Sequence, residues 1–441
     1  MRAIAFELLR RVAEDDSYAN LLLPKLLSDA KVDSRDAGFI QELAFGTLRN
    51  KLLYEKVIEI ASAREIRTID SHAIIVLLLG AHQILGMRVP AHAAINESVN
   101  LAKQKASQSA TGFVNAVLRR ISERSREQWI EKVLESADSG DERLSLTYSH
   151  PLWIVKSLGA ALESRGLGDS LEELLVADNT AAKVSVAALP GFADVSELSD
   201  FGTLGIASPI GLELSVPPSR VPQLQNGQVR VQDQGSQLAV LALLAAEVEV
   251  EDSRWLDLCA GPGGKAALLS NIARGKGIAF VANEISEARA ELVRQVVQGA
   301  KVLVSDGRTI GSSGEQFDAI LIDAPCTGLG ALRRRPEVRW RRTLQDLRAL
   351  TQLQRELIDS AIQALNPGGI LGYATCSPHL AETTIQIADV KKKHSDLTQV
   401  SVEEYLPENL KEATRDGAMS LWTHKHGTDA MYLALFRKDI G

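Results

Sequence analysis

The sequence predicts a multidomain chain: an all-α bundle over residues 1–130, a small α+β connecting domain over 131–230, and an α/β, Rossmann-like domain over 231–441. Three observations predict it. The 441 residues are about three times the ~150 expected of one domain. Apolar residues recur at helical spacing throughout the first part. From Val229 onward, short apolar runs alternate with helical stretches, as in a doubly wound parallel sheet.

Composition narrows the class. With 45% hydrophobic and 24% charged residues the chain is ordinary globular protein, which excludes disorder, collagen and a coiled-coil rod. The strongest apolar runs, Ala73–Ala81 and Leu238–Ala246, fall well short of the ~20 residues that span a bilayer. Met1–Asp16 turns acidic without an apolar core, unlike a secretory leader. Three cysteines are too few for a disulfide scaffold. The expectation is a soluble, cytoplasmic, monomeric protein. The net charge of −7 argues against a protein that coats nucleic acid, but the acidity is local. Residues 131–254 hold 19 Asp+Glu against 8 Lys+Arg, leaving both flanks nearly balanced.

In the bundle, Ile4, Leu8 and Val12 mark one helical stripe, and His72–Met87 is apolar on nearly all sides, as a central helix would be. Pro90 suits a helix start, followed by the stripe Ile95, Val99, Ala102. Phe113, Val114, Val117, Leu118 and Ile121 continue the pattern. The connecting region predicts helices over Trp153–Ser164 and Ser170–Ala177 and a strand over Lys183–Ala188. Strands are then expected at Arg254–Leu258, Ile278–Asn283, Lys301–Ser305, Phe317–Ile322 and Ile370–Ala374. Ala418–Trp422 and Ala430–Phe436 read as a hairpin closing the sheet's edge, with His424 and His426 as surface residues.

In such sheets ligands lie beyond the carboxyl ends of the strands. After the first strand comes Cys259-Ala260-Gly261-Pro262-Gly263-Gly264-Lys265, a turn whose glycines admit a ligand to the backbone at a helix start. It is not a P-loop, because Cys259 and Ala266 stand where Gly and Ser/Thr are needed. Nor is it the dinucleotide fingerprint, whose last glycine would be Ala266. Glu284 ends the second strand about 20 residues on, where a carboxylate accepts ribose hydroxyls. Asp306 follows the third strand in an Asp-Gly turn. Together these outline a nucleoside pocket. The fourth and fifth strands deliver Asp323-Ala324-Pro325-Cys326 and Ala374-Thr375-Cys376-Ser377. Neighbouring parallel strands would bring both thiols to one rim. Zinc lacks the local ligand set, and a redox pair lacks the CxxC context.

These three motifs in this order resemble the S-adenosylmethionine-dependent RNA cytosine-C5 methyltransferases, and above all the bacterial RsmB (Sun/Fmu) branch acting on small-subunit ribosomal RNA. The resemblance runs over essentially the whole chain, with the bundle similar to a NusB-type RNA-binding domain and Val231–Gln237 at the entrance to a class I methyltransferase domain. It implies S-adenosylmethionine at Cys259 through Lys265, Glu284, Asp306 and Asp323, with no metal. Glu284 departs from the family's usual Asp, and Asp429-Ala430-Met431-Tyr432 from its usual Gly-Phe-aromatic run.

Carbon 5 of cytosine is a poor nucleophile until a thiolate adds to C6, which splits one hard step into two easier ones. The residues alone leave the thiols unranked. The resemblance makes Cys376 the nucleophile, Cys326 the group that assists loss of the C5 proton or product release, and Asp323 the contact to N3 and the exocyclic amine. The two sulfurs are expected on opposite faces of a flipped pyrimidine. Arg333, Arg334, Arg335, Arg339, Trp340, Arg341 and Arg342 are expected to hold RNA, by phosphate contact and base stacking. A transfer-RNA substrate and a non-catalytic assembly factor remain the alternatives.

Overall fold

The computed structural model describes residues 1–15, 17–247 and 250–440, so Asp16, Val248, Glu249 and Gly441, which fall in the expected bundle and α/β domain, lie outside it. The chain forms two compact units. The first comprises Met1–Gly159, Asp169–Ala181 and Leu332–Arg341, and the second Ala160–Gly168, Ala182–Ala331 and Arg342–Gly441. The connecting domain expected over 131–230 is therefore divided. Its helices Gly140–Tyr148 and Leu171–Asn179 join the bundle, and its strands join the second unit. The division has a physical cause, since apolar helix stripes need other helices and short strands need a sheet.

In the first unit polar side chains start the helices. Asp33 accepts from the Asp36 amide at 2.8 Å, Asp70 from that of Ala73 at 2.9 Å, and Ser125 forms a capping box with Gln128. Helix Ser71–Leu85 buries an almost unbroken run from Ile75 to Gln83, the central helix predicted from its all-round apolarity. Its neighbour Ser34–Arg49 approaches closely because of Gly46, where a Cβ would stand 2.1 Å from the His82 ring. Helix Arg126–Leu134 carries the bundle past residue 130, anchored by Trp129, which is buried and donates to the Ile121 carbonyl at 2.9 Å.

In the second unit β1 (Ser185–Ala188), β2 (Gly202–Leu204), β3 (Gly211–Leu214) and β4 (Val229–Val231) form an antiparallel sheet in the order β2-β3-β1-β4. Helix Gln234–Ala245 ties it down: Gln234 accepts from the Ala207 and Ser208 amides, and Gln237 donates to the Val186 carbonyl.

The main sheet contains β5 (Arg254–Asp257), β6 (Ala279–Asn283), β7 (Lys301–Leu303), β8 (Phe317–Asp323) and β9 (Leu365–Thr375). It also contains β10 (Leu397–Val400), β11 (Thr414–Arg415), β12 (Ala418–Ser420) and β13 (Tyr432–Lys438). Its order is β11-β12-β13-β9-β8-β5-β6-β7, with β10 also paired to β13. The pairs β7-β6-β5-β8-β9 are parallel, and β13 runs antiparallel to β9. The predicted hairpin forms, but β13 is interior, as its buried run Tyr432–Phe436 requires. Nor do both histidines lie on the surface: His426 is buried, its Nδ1 accepting from the Trp422 amide at 2.8 Å. Among the described residues no helix is long and apolar enough to cross a membrane.

Candidate active site

The strand ends converge as the parallel order demands. Beyond β5 the chain turns through Gly261 and Pro262 into helix Gly264–Lys276. Gly263 sits at φ 112°, and a Cβ there would meet Val296 at 2.6 Å, so glycine is required twice over. Ala260 donates to the Asn283 carbonyl at 2.9 Å, which anchors the turn on β6. Asn283 itself organises three strand ends, donating to the Leu258 and Ser305 carbonyls while accepting from the Ser305 hydroxyl at 2.6 Å. Sequence reasoning passed over it, although an Asn ending an apolar strand was the available signal.

Four carboxylates surround the turn in different states. Asp257 is sealed from solvent and short of hydrogen-bond donors. Burial, reinforced by Asp323, pushes its carboxyl up to about 8. Glu284 is buried and fully engaged, accepting from the Gly261 amide at 3.1 Å and the Ser286 amide at 2.9 Å, with Arg289 at 2.6 Å. Asp306 caps its turn through the Arg308 amide at 3.0 Å and pairs with the Arg308 side chain, which holds its carboxyl below the usual range. Asp323 ends β8 and receives the buried Lys265 ammonium at 2.8 Å. Burial alone would lower the lysine, but Asp323 outweighs it and the ammonium is held above its ordinary range.

Beside this pair stand the two thiols. Asp323 is in register with Ala374, so the loops that follow β8 and β9 start level. The Sγ atoms of Cys326 and Cys376 are 3.5 Å apart and both half-buried. The Cys326 thiol is raised well above its ordinary range, first by its contact with Cys376 and then by burial. Gly330 locks the arrangement by donating to the Cys376 carbonyl at 2.9 Å and accepting from the Ala430 amide at 2.8 Å. The third cysteine is different: Cys259 packs against the core around Ile320 and Ile322, and burial drives its thiol up.

The sulfurs, expected on opposite faces of a flipped pyrimidine, stand 3.5 Å apart, less than the roughly 7 Å that a ring lying between them would need. One expectation needs correction: the arginine-rich stretch is partly internal to the first unit. Arg339 is 1% exposed, donating to the carbonyls of Arg49 at 3.0 Å, Ser149 at 3.3 Å and Asp178 at 2.8 Å and to Asn179 Oδ1 at 2.7 Å. Trp340 donates to the Leu48 carbonyl at 2.9 Å, with the Lys51 ammonium 5.3 Å from its ring. Arg341 donates to the Val12 and Ser17 carbonyls and lies over Tyr18. Arg333 is buried, its carbonyl accepting from Arg49. Backbone carbonyls without partners accept charge-assisted hydrogen bonds from a guanidinium. Arg334, Arg335 and Arg342 keep part of their surface in solvent.

Residues 243–437 match the family described as 16S rRNA methyltransferase RsmB/F, and residues 1–123 the NusB family. The Mycobacterium tuberculosis protein Rv1407, provisionally named a methyltransferase, is 42% identical over 99% of this chain and 96% of its own. Ribosomal RNA small subunit methyltransferase B of Enterobacter sp. (strain 638) is 32% identical over 90% of this chain and 91% of its own. Among solved structures, PH0851 superposes with a TM-score of 0.82 at 21% identity, covering 99% of this chain and 97% of that one. NSun6 from Pyrococcus horikoshii, with a TM-score of 0.52 at 17% identity, covers 64% of this chain and 98% of its own. Taken with the strand-end geometry, these matches show that the chain belongs to the RsmB/F family of 16S ribosomal RNA methyltransferases, which draw their methyl group from S-adenosylmethionine.

Proposed function

We propose that this chain methylates carbon 5 of a cytosine in 16S ribosomal RNA through a covalent bond between Cys376 and C6, acting as a cytoplasmic monomer. The observation that carries the reading is the pair of sulfurs 3.5 Å apart beside the Lys265–Asp323 ion pair. The residues present suit S-adenosylmethionine. Asp257 is a buried carboxyl short of donors, which a cationic ligand nearby would favour in its ionised form. The turn from Cys259 to Lys265 leaves open space beside Gly264, and Glu284 and Asp306 follow the second and third strands, where this reading puts ribose and base. When bound, this cofactor supplies an electrophilic methyl group.

The protein's part follows from its own atoms. Cys376 as thiolate adds to C6, and the C5–C6 π pair shifts onto C5. Asp323, paired with the Lys265 ammonium, sits to accept a hydrogen bond from the exocyclic amine and stabilise the adduct. Once C5 has taken the methyl, its proton leaves to solvent with Cys326 assisting, the double bond re-forms and Cys376 departs as thiolate. In this reading the two sulfurs serve C6 and C5, adjacent atoms of the ring, which their short separation allows. Arg334, Arg335 and Arg342 are the candidates from the arginine stretch for phosphate contact.

The test pairs two variants. Cys376→Ala removes methyl transfer to 16S RNA, and Cys326→Ala accumulates a protein–RNA adduct that survives denaturation. Full turnover by Cys376→Ala overturns the mechanism. Bisulfite sequencing of ribosomal and transfer RNA from cells lacking the protein identifies the substrate, and a lost mark in transfer RNA alone overturns the 16S assignment.

A further inference from the structure

Glu382 is fully buried in the second unit and has no part in the chemistry above. Its carboxylate touches the Cys326 loop directly and reaches the Cys376 loop through Thr327. Oε1 accepts from the Thr327 amide at 2.8 Å and from Gln354 Nε2 at 3.1 Å, and Oε2 accepts from the Thr327 hydroxyl at 2.5 Å. Gln354 also donates to the Pro325 carbonyl at 2.9 Å, so the residues on both sides of Cys326 hang from this one group. On the other loop, the Ser377 hydroxyl lies 3.0 Å from that of Thr327 and accepts from the His379 amide at 3.2 Å.

The direction of this chain is forced. A carboxylate only accepts, so the single Thr327 proton points at Glu382, and Ser377 must donate to Thr327. We infer that Glu382 is a positioning residue: by orienting the chain Ser377–Thr327–Glu382 it sets where Cys326 stands relative to Cys376. Burial makes that control strict, because a half-satisfied internal network is costly and shifts its neighbours. The same carboxylate acts with Cys376 and burial in raising the Cys326 thiol.

The inference rests on the cysteine roles proposed above, and the experiment separates the two. In Glu382→Gln the amide oxygen keeps the two N–H donors on Oε1, and its NH2 then faces the Thr327 hydroxyl, which loses its acceptor. Misplacing Cys326 by a fraction of an ångström is expected to lower kcat roughly 10- to 100-fold. KM for S-adenosylmethionine stays unchanged, and the denaturation-resistant RNA adduct builds up as in Cys326→Ala. Thr327→Val, which removes only the hydroxyl, reproduces the effect, and Thr327→Ser restores turnover. These two decide the matter if Glu382→Gln no longer binds cofactor.

If Cys326→Ala accumulates adduct and neither Glu382→Gln nor Thr327→Val does, the positioning role is overturned and the cysteine roles stand. Loss of turnover without adduct in a variant that still binds cofactor overturns it equally. If Cys326→Ala itself traps nothing, the cysteine roles fail first.

Discussion

Two stretches of this chain announce themselves by composition, and the fold treats them in opposite ways. The loops after β8 and β9 each carry one thiol, and the structure holds the two sulfurs 3.5 Å apart in a half-buried notch. The segment from Arg333 to Arg341 carries a dense run of guanidinium groups and a tryptophan, and Arg339, Trp340 and Arg341 are spent on the protein's own carbonyls. A thiol at the end of a parallel strand has its location set by the sheet. A guanidinium on a long side chain binds whichever acceptors its loop reaches, and here these include the helix C-terminal carbonyl of Arg49, while the Trp340 indole takes that of Leu48.

The comparison breaks most sharply at Gly330. Replacing it with alanine sets a Cβ 2.0 Å from the Ala430 carbonyl oxygen and must displace the link to Cys376. Single-turnover assays are expected to show about a 100-fold loss of methyl transfer, the cost of misplacing a reacting group by about an ångström. An unchanged rate would mean the thiol geometry is not what limits the chemistry.

On the other side, Arg339→Ala strips hydrogen bonds from four acceptors inside the first unit. The expected cost is about 3 kcal/mol of stability, read as a lower melting temperature. An unaltered melting temperature with weakened RNA binding would return Arg339 to the interface.

Asp257 sharpens the comparison through pH. Its carboxyl is raised to about 8 in the fold from an ordinary 3.8, so the native state holds the proton across that interval. Wild-type stability should therefore fall as pH rises from 4 to 8 by the contribution of this group. In cofactor-free melts Asp257→Asn gains on wild type over the same window, and parallel curves would contradict the burial argument.

The smallest effect belongs to Arg342→Ala. If Arg342 touches phosphate, RNA affinity falls a few-fold and the salt dependence of binding flattens by about one counterion. An identical slope removes Arg342 from the interface.

Much of the second unit could be read from the chain because periodicity and strand-end motifs are local. The turn ending at Lys265, the carboxylates Glu284 and Asp306 and both thiol loops lie beyond their predicted strands. Other features were not local. Asn283 and Glu382 look unremarkable in the sequence, since their importance lies in partners 22 to 55 residues away. The division of 131–230 between two units was equally hidden, because its helices and strands differ in which surface can cover them.

By itself, the amino-acid order determined which residues end each parallel strand, and so which chemistry could collect at the carboxyl edge of the sheet. Only tertiary structure decided how far apart the two sulfurs stand, which arginines meet carbonyls rather than solvent, and that Asp257 is short of donors. The reason is that alternation and turn chemistry act between neighbours in the chain. Burial and hydrogen-bond partnership belong to whatever the folded chain brings alongside.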